Sequence, residues 1–385
     1  MNPSESSTPA SSADTGRAAA FGTFAPLLDA SIAGVFSSAR ALVRGRPSLV
    51  IPLVRMARRS QAAAATRARL REEGLVVPPV LIVSVTHRCN LRCRGCYAHE
   101  HTWERAPEMS ASQLLAILKE AESLGVSFVI LAGGEPLART DLLSLTRQVP
   151  GIVFPLFTNG LLLTGPVIEE LKGQRHVVPL VSIEGTREDT DTRRGEGMHE
   201  RILSVLGELD RAGILFGVSL TVSRKNLLSI LDPHVVEDLY LRGARIFYFV
   251  EYVAMHEGTD ELEITPDERA RLLAHIGAMR TAHPGIYVAF PGDEERFGGC
   301  LSSGRGFVHI NPAGGLEPCP AAPFTDINVT SSSLRAALSS PMLAAIRDNH
   351  AVLDESQGGC ALWRNRKKVV AILDAVTDYE CTGRL

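Results

Sequence analysis

From Pro79 onward, short apolar runs rich in β-branched residues alternate with stretches of helical periodicity. The runs predict strands at 80–85, 128–131, 152–157, 177–183, 215–222 and 245–253. Helices are expected at 110–124, where Ser110 and Gln113 suit a capping box, and at 141–148, 166–171, 200–212, 228–241 and 266–282. This alternation predicts an α/β fold: a parallel sheet with helical crossovers, lying open or curled into a barrel. Either way, the chemistry belongs just beyond the C-terminal ends of the strands. Upstream, the Ser/Thr/Ala/Pro-rich residues 1–16 are expected to be disordered, and 17–77 read as basic helices broken near Gly45 to Pro47 and at Pro52. After about residue 290, Gly, Pro and Cys become frequent. A hairpin is predicted around 306–318 and a helix over 333–348. The expected division is therefore 1–16, 17–77, a barrel over 78–290 and a small cysteine-containing extension over 291–385.

With 385 residues, 45% hydrophobic and 22% charged, the chain is no disordered tail, disulfide mini-protein or coiled-coil rod. Its early apolar stretches (18–28, 30–39, 47–54) are shorter than the ~18–20 residues of a membrane helix. Residues 1–16 show no secretory pattern. The net charge of −3 hides nine arginines and no acid between Ala30 and Arg71, which leaves −12 for the remainder. Helices docked on the main domain with arginines in solvent are the expected arrangement; peripheral contact with an anionic membrane face is the alternative, and no nucleic acid is expected. Of the seven cysteines, three crowd into eight positions. That is no disulfide framework and points to a reducing cytoplasm, peripheral to the inner membrane face in the alternative, with metal or redox thiols.

The first predicted strand runs into Thr86-His87-Arg88-Cys89-Asn90-Leu91-Arg92-Cys93-Arg94-Gly95-Cys96-Tyr97. Three thiolates at this spacing can hold three irons of a [4Fe–4S] cubane, and no fourth cysteine follows within two hundred residues. One iron is thereby left open. A zinc knuckle, with His87, His99 or His101 as fourth ligand, is the alternative. Further motifs fall at later strand ends: Gly133-Gly134-Glu135-Pro136, Thr158-Asn159-Gly160, Ser182-Ile183-Glu184-Gly185 with Arg193 and Arg194 beyond it, Thr221 with Ser223, and Glu251-Tyr252.

The stretch Thr86 to Tyr97, with the Gly-Gly-Glu-Pro that follows, resembles the radical S-adenosylmethionine (radical SAM) superfamily. The resemblance implies a partial (β/α)6 barrel of TIM-like type. It implies catalytic cluster ligands at Cys89, Cys93 and Cys96, and S-adenosylmethionine contacts at Tyr97, Gly133, Gly134, Glu135, Asn159, Ser182, Glu184, Arg194 and Thr221. Arg194 would neutralise the methionine carboxylate, with Arg193 competing, and Ser182 and Glu184 would reach the ribose from one face of a strand. The implied reaction splits the sulfonium by one electron, from a flavodoxin- or ferredoxin-type donor, and abstracts a substrate hydrogen. Glu251 and Tyr252 would face substrate.

The second cysteine set, Cys300, Cys319 and Cys360, lies in Gly-x4-Cys and Gly-Gly-Cys contexts that resemble the SPASM or twitch extension of that superfamily. One auxiliary [4Fe–4S] cluster is implied, with Cys381 or an open iron as the fourth position. The alternative is a set of free buried thiols. Asp293, Glu294 and Glu295 could include a base, a solvated acidic turn being the plainer reading. The N-terminal 77 residues lack the strands of a peptide-binding winged helix. A small molecule, sugar or lipid is therefore expected as substrate rather than a peptide. From another class, a non-catalytic iron–sulfur or zinc protein is the competing reading.

Overall fold

The computed structural model describes residues 28–34, 42–43, 47–99, 106–255, 257–297, 299–349 and 360–381. The expected tail 1–16, together with His101, Gly358 and Gly359, lies outside them.

Seven parallel strands follow one another: β1 (Val80–Ser84), β2 (Phe128–Ala132), β3 (Phe154–Thr158), β4 (Val177–Ser182), β5 (Gly217–Val222), β6 (Ile246–Glu251) and β7 (Ile286–Phe290). β8 (Phe307–Ile310) and β9 (Leu316–Glu317) complete a curled nine-stranded sheet in the order β7-β6-β5-β4-β3-β2-β1-β8-β9. The fold is a partial TIM-like barrel, open between β7 and β9. Leu81 and Val83 of β1 are fully buried, which fits a strand flanked by neighbours on both edges and reads as an unbroken apolar run.

The expected six strands become seven, because β7 follows the last predicted helix. The hairpin of the extension also joins the barrel sheet: β8 runs parallel to β1, from Val80 opposite Phe307 to Val83 opposite Ile310. Sequence pattern could not show this, since a four-residue strand carries no record of its partner.

The helices are α1 (Val50–Glu72), α2 (Ala111–Ser123), α3 (Leu142–Thr146), α4 (Gly165–Gly173), α5 (Arg187–Arg194), α6 (Met198–Arg211), α7 (Leu227–Ile230), α8 (Pro233–Leu241), α9 (Pro266–Ala282), α10 (Leu334–Ala337), α11 (Pro341–Asp348), α12 (Ala361–Arg364) and α13 (Arg366–Asp374). The Ser110/Gln113 capping box opens α2 as expected. Two predicted helices split where proline restarts them, at Pro233 and Pro341. Pro52, expected as a break, sits in the first turn of α1, where its missing N–H removes no intrahelical bond.

The basic N-terminal segment is docked through α1. Leu49, Leu53 and Met56 share a core with Val153, Val178, Leu180, Leu215 and Ile246, residues that start β3 to β6, precede them or, for Leu180, lie at mid-strand. This helix therefore covers the end of the barrel opposite the strand C-termini. Not all its arginines are in solvent. Arg67 is 1% exposed, pairs with Asp29 and donates to Ser127 Oγ (2.9 Å) and the Gly125 carbonyl. No helix among the described residues is long and apolar enough to cross a membrane.

Candidate active site

Every motif singled out in the barrel lies at or just past a strand C-terminus. The cysteine loop follows β1 and rests on the turn after β2. Gly134 N donates to Thr86 O (2.8 Å) and Glu135 N to Arg88 O (2.8 Å). A Cβ on Gly133 (φ 128°) would lie 2.4 Å from Thr86 O, and one on Gly134 2.3 Å from Arg88 O. The two glycines thus admit the backbone of the cysteine loop itself. Asn159 Nδ2 donates to Asn90 Oδ1 (2.7 Å), tying the loop to the end of β3. On the far side, Arg94 N donates to Arg193 O (3.0 Å) and Arg193 Nε to Arg94 O (3.2 Å). Glu108, which carried no sequence signal, accepts from the His87 N–H (3.0 Å) and the Thr86 hydroxyl at the loop's start.

None of the seven cysteines is in a disulfide. Cys89 is exposed, and Cys93 and Cys96 are partly so. Burial pushes the Cys89 and Cys93 thiols up; at Cys89 the nearby Glu135, Cys93 and Cys96 add to this, and at Cys93 Arg194 opposes it. Among the described residues, no three His, Cys, Asp or Glu side chains converge on a point for a single ion. Cys93 and Cys96 lie close enough to Cys89 for their charges to act on it, and an all-sulfur donor set from one loop suits an iron–sulfur centre.

Glu135 is buried. Its Oε1 accepts from Thr158 Oγ1 (2.7 Å) and Leu137 N (3.1 Å), and Oε2 from Asn159 N (2.8 Å). Burial pushes its carboxyl up against these donors. A carboxylate has about four acceptor positions, so one stays open on Oε2.

Glu184, expected at the ribose, is held by protein partners. β4 ends at Ser182, so the strand alternation that would align Ser182 with Glu184 stops short. Glu184 turns to Arg193 Nη1 (2.8 Å) and to Arg194 Nε (2.9 Å) and Nη2 (2.5 Å), while its Oε2 accepts from Thr221 N (3.1 Å). Burial opposes its ionisation, but Arg194 and Arg193 outweigh burial and hold its carboxyl below the usual range. Asn226, another unforeseen member, donates to Glu184 O (3.2 Å) and Thr221 O (2.9 Å) and accepts from Ser223 N (2.8 Å). Asp191 accepts from Gly197 N (3.2 Å) and His199 N (2.8 Å). Glu251, expected to face substrate, is paired with Arg269 (Nε–Oε1 2.8 Å) inside the core.

In the extension, Cys300, Cys319 and Cys360 are all buried and face one another. Cys319 is hydrogen-bonded to Cys360; this bond and burial push Cys319 well up, while the same bond holds Cys360 low against burial. Burial, then Glu294, pushes Cys300 well up. Glu294 is buried and accepts from Leu301 N (3.2 Å), so it is no solvated turn. Cys381 is exposed, on β11 (Glu380–Cys381), paired with Phe324 of β10 (Phe324–Thr325).

A buried polar chain that the sequence did not disclose links the two cysteine regions. Tyr97, next to Cys96, is hydrogen-bonded to Ser84. Ser84 Oγ lies 2.8 Å from His309 Nε2, His309 Nδ1 2.7 Å from Glu317 Oε2, and Asn311 Nδ2 donates to Glu317 Oε1 (2.8 Å). Ser84, His309, Asn311 and Glu317 are all buried. Glu317 stands two residues before Cys319.

The family model of the Radical SAM superfamily matches residues 83–224. An AdoMet-dependent heme synthase of Methanosarcina barkeri is 28% identical over 287 residues, covering 67% of this chain and 81% of that protein. A PqqA peptide cyclase of Rhizobium meliloti is 28% identical over 261 residues, covering 64% and 69%. The crystal structure of Streptococcus suis SuiB bound to precursor peptide SuiA shares the fold, with a TM-score of 0.61 at 18% identity over 74% of this chain and 71% of that one. The family uses a [4Fe–4S] cluster and S-adenosylmethionine, and its SPASM-type members carry auxiliary clusters. With this match and the strand-end cysteine loop, the chain carries a radical SAM superfamily domain over residues 83–224, followed by a cysteine-containing extension similar to that of SPASM-type relatives.

Proposed function

We propose that this chain binds S-adenosylmethionine over its cysteine loop and uses it to oxidise or rearrange a substrate at an unactivated C–H bond. When bound, the iron–sulfur cluster and S-adenosylmethionine supply one-electron cleavage of the sulfonium and abstraction of a hydrogen atom from substrate. The observation that carries the reading is the docking of the loop: Gly134 and Glu135 donate to Thr86 and Arg88, which fixes three thiols beside a buried carboxylate.

Cys89, Cys93 and Cys96 would hold the cluster. The open acceptor position of Glu135 would take a ligand ammonium, with Tyr97, Gly133, Gly134, Asn159, Ser182 and Thr221 around the ligand. Arg194 commits Nε and Nη2 to Glu184, leaving the Nη1 end of the guanidinium for a ligand carboxylate. Glu184 then acts by holding both arginines. Cys300, Cys319 and Cys360 would hold one auxiliary cluster, as electron acceptor or substrate anchor; the exposed position of Cys381 supports the open iron. A low-potential flavodoxin- or ferredoxin-type protein would supply electrons.

For the substrate, a peptide has support that the sequence alone did not give: one relative is named a peptide cyclase, and SuiB is seen with a precursor peptide. The heme synthase keeps a small molecule in play.

The test is reductive release of 5′-deoxyadenosine from S-adenosylmethionine by the anaerobically reconstituted protein. Release is expected from the wild type and not from the Cys89→Ala/Cys93→Ala/Cys96→Ala variant, which should keep ~4 irons in the extension. A wild-type protein that binds iron and releases nothing contradicts the reading.

A further inference from the structure

The residue after β6, Tyr252, is 7% exposed, and its hydroxyl is buried with no hydrogen-bond partner. Buried tyrosine hydroxyls are normally satisfied, and an orphan asks for a reason. The ring lies flush on Gly95, between Cys93 and Cys96: a Cβ built there would be 2.8 Å from Tyr252 Oη and 2.9 Å from Cε2. A tyrosine from the sixth strand therefore reaches the loop that follows the first, with its hydroxyl beside the thiol-bearing backbone.

Its placement is not slack. Tyr252 N donates to Val222 O (2.8 Å), and Ala254 N to Glu263 Oε1 (2.9 Å). Trp363, three residues after Cys360, donates from Nε1 to Ala254 O (2.9 Å), and Arg364 Nη2 donates to Glu263 Oε2 (2.9 Å). The segment is thus clamped by the helix after Cys360 on one side and packed on the cysteine loop on the other. A side chain held this firmly with its one strong donor unspent is organised for a ligand that the loop receives.

We infer that Tyr252 is a ligand-contacting residue, whose hydroxyl donates to a polar acceptor of S-adenosylmethionine seated on the cysteine loop. The inference rests on the functional reading above. It separates two quantities that a structural tyrosine would move together. Without the ligand the hydroxyl makes no bond, so Tyr252→Phe removes an unsatisfied group and should leave Tm unchanged or raised. With the ligand, the same change removes a hydrogen bond.

The experiment is equilibrium binding of S-adenosylmethionine to cluster-loaded wild type and Tyr252→Phe, with Tm measured with and without it. Expected are about tenfold weaker binding, equal iron content, and no loss of Tm in the absence of S-adenosylmethionine. Equal affinity in the two proteins overturns the inference alone. So does a lower Tm for the ligand-free variant, because the hydroxyl was then already bonded. A change confined to the cluster's spectrum, with affinity unaltered, also overturns it. A wild type that binds no S-adenosylmethionine overturns the functional reading and this inference with it.

Discussion

The two cysteine regions solve opposite problems. The loop after β1 gathers Cys89, Cys93 and Cys96 from one short stretch and leaves them partly open at the strand ends. The extension gathers Cys300, Cys319 and Cys360 from positions far apart in sequence and buries all three. The first is steadied from below, by backbone bonds to Gly134 and Glu135, so its outer side stays available for a ligand. The second is enclosed by packing, with Cys300 Sγ donating to Ser302 Oγ (3.2 Å) and the His309–Glu317 pair on the β8–β9 hairpin, Glu317 standing two residues before Cys319. A thiol set meant to meet an exchanging ligand needs an open face, whereas one that stores an electron or staples a fold is better dry.

Exchanging the buried set for serines should have the largest effect. Cys300→Ser/Cys319→Ser/Cys360→Ser is expected to lose about half the iron, ~4 per chain, while 5′-deoxyadenosine release persists; iron analysis beside product chromatography checks it. If release vanishes too, the regions are not separable. His309→Ala comes next. It leaves Glu317 buried without its imidazole and should cost about 2–4 kcal/mol, read as a lower urea midpoint with unchanged slope, with iron lost first from the extension. Gly134→Ala should cost somewhat less, about 1–3 kcal/mol. Its methyl would strike the Arg88 carbonyl, so iron should leave the loop first. The same order of iron loss in both variants would erase the distinction drawn here.

The pH response of Glu184 is the smallest effect. Its carboxyl lies below the usual range because Arg194 and Arg193 outweigh burial. The stability it adds is present above its unfolded pKa of about 4.3 and fades as pH falls through the lower folded value. Glu184→Gln should therefore flatten the acid side of the stability profile, measured as Tm from pH 3 to 6.

What could be read from sequence follows from where the information lies. The cysteine loop, Gly-Gly-Glu-Pro and the α/β alternation are local patterns, and the structure sets them at the strand ends as that alternation requires. The buried cysteines were recognisable as residues in motif context, but their meeting depends on β8 lying parallel to β1, a long-range pairing. The partners of Glu251 and Glu184 escape the sequence for the same reason. Strand alternation gives a side chain's direction and not its partner, and their partners, Arg269 and the Arg193–Arg194 pair, come from other elements. Tyr97, Ser84, His309 and Glu317 form one chain across three strands and a loop, and no spacing announces it.

The central claim is that the cysteine loop carries a cluster with one iron left to S-adenosylmethionine. Low-temperature electron paramagnetic resonance of the anaerobic, dithionite-reduced protein tests it most directly. Adding S-adenosylmethionine should reshape the loop cluster's signal, leave the extension's signal unchanged, and do nothing in the Cys89→Ala/Cys93→Ala/Cys96→Ala variant. A spectrum indifferent to S-adenosylmethionine in the fully loaded wild type would contradict the account.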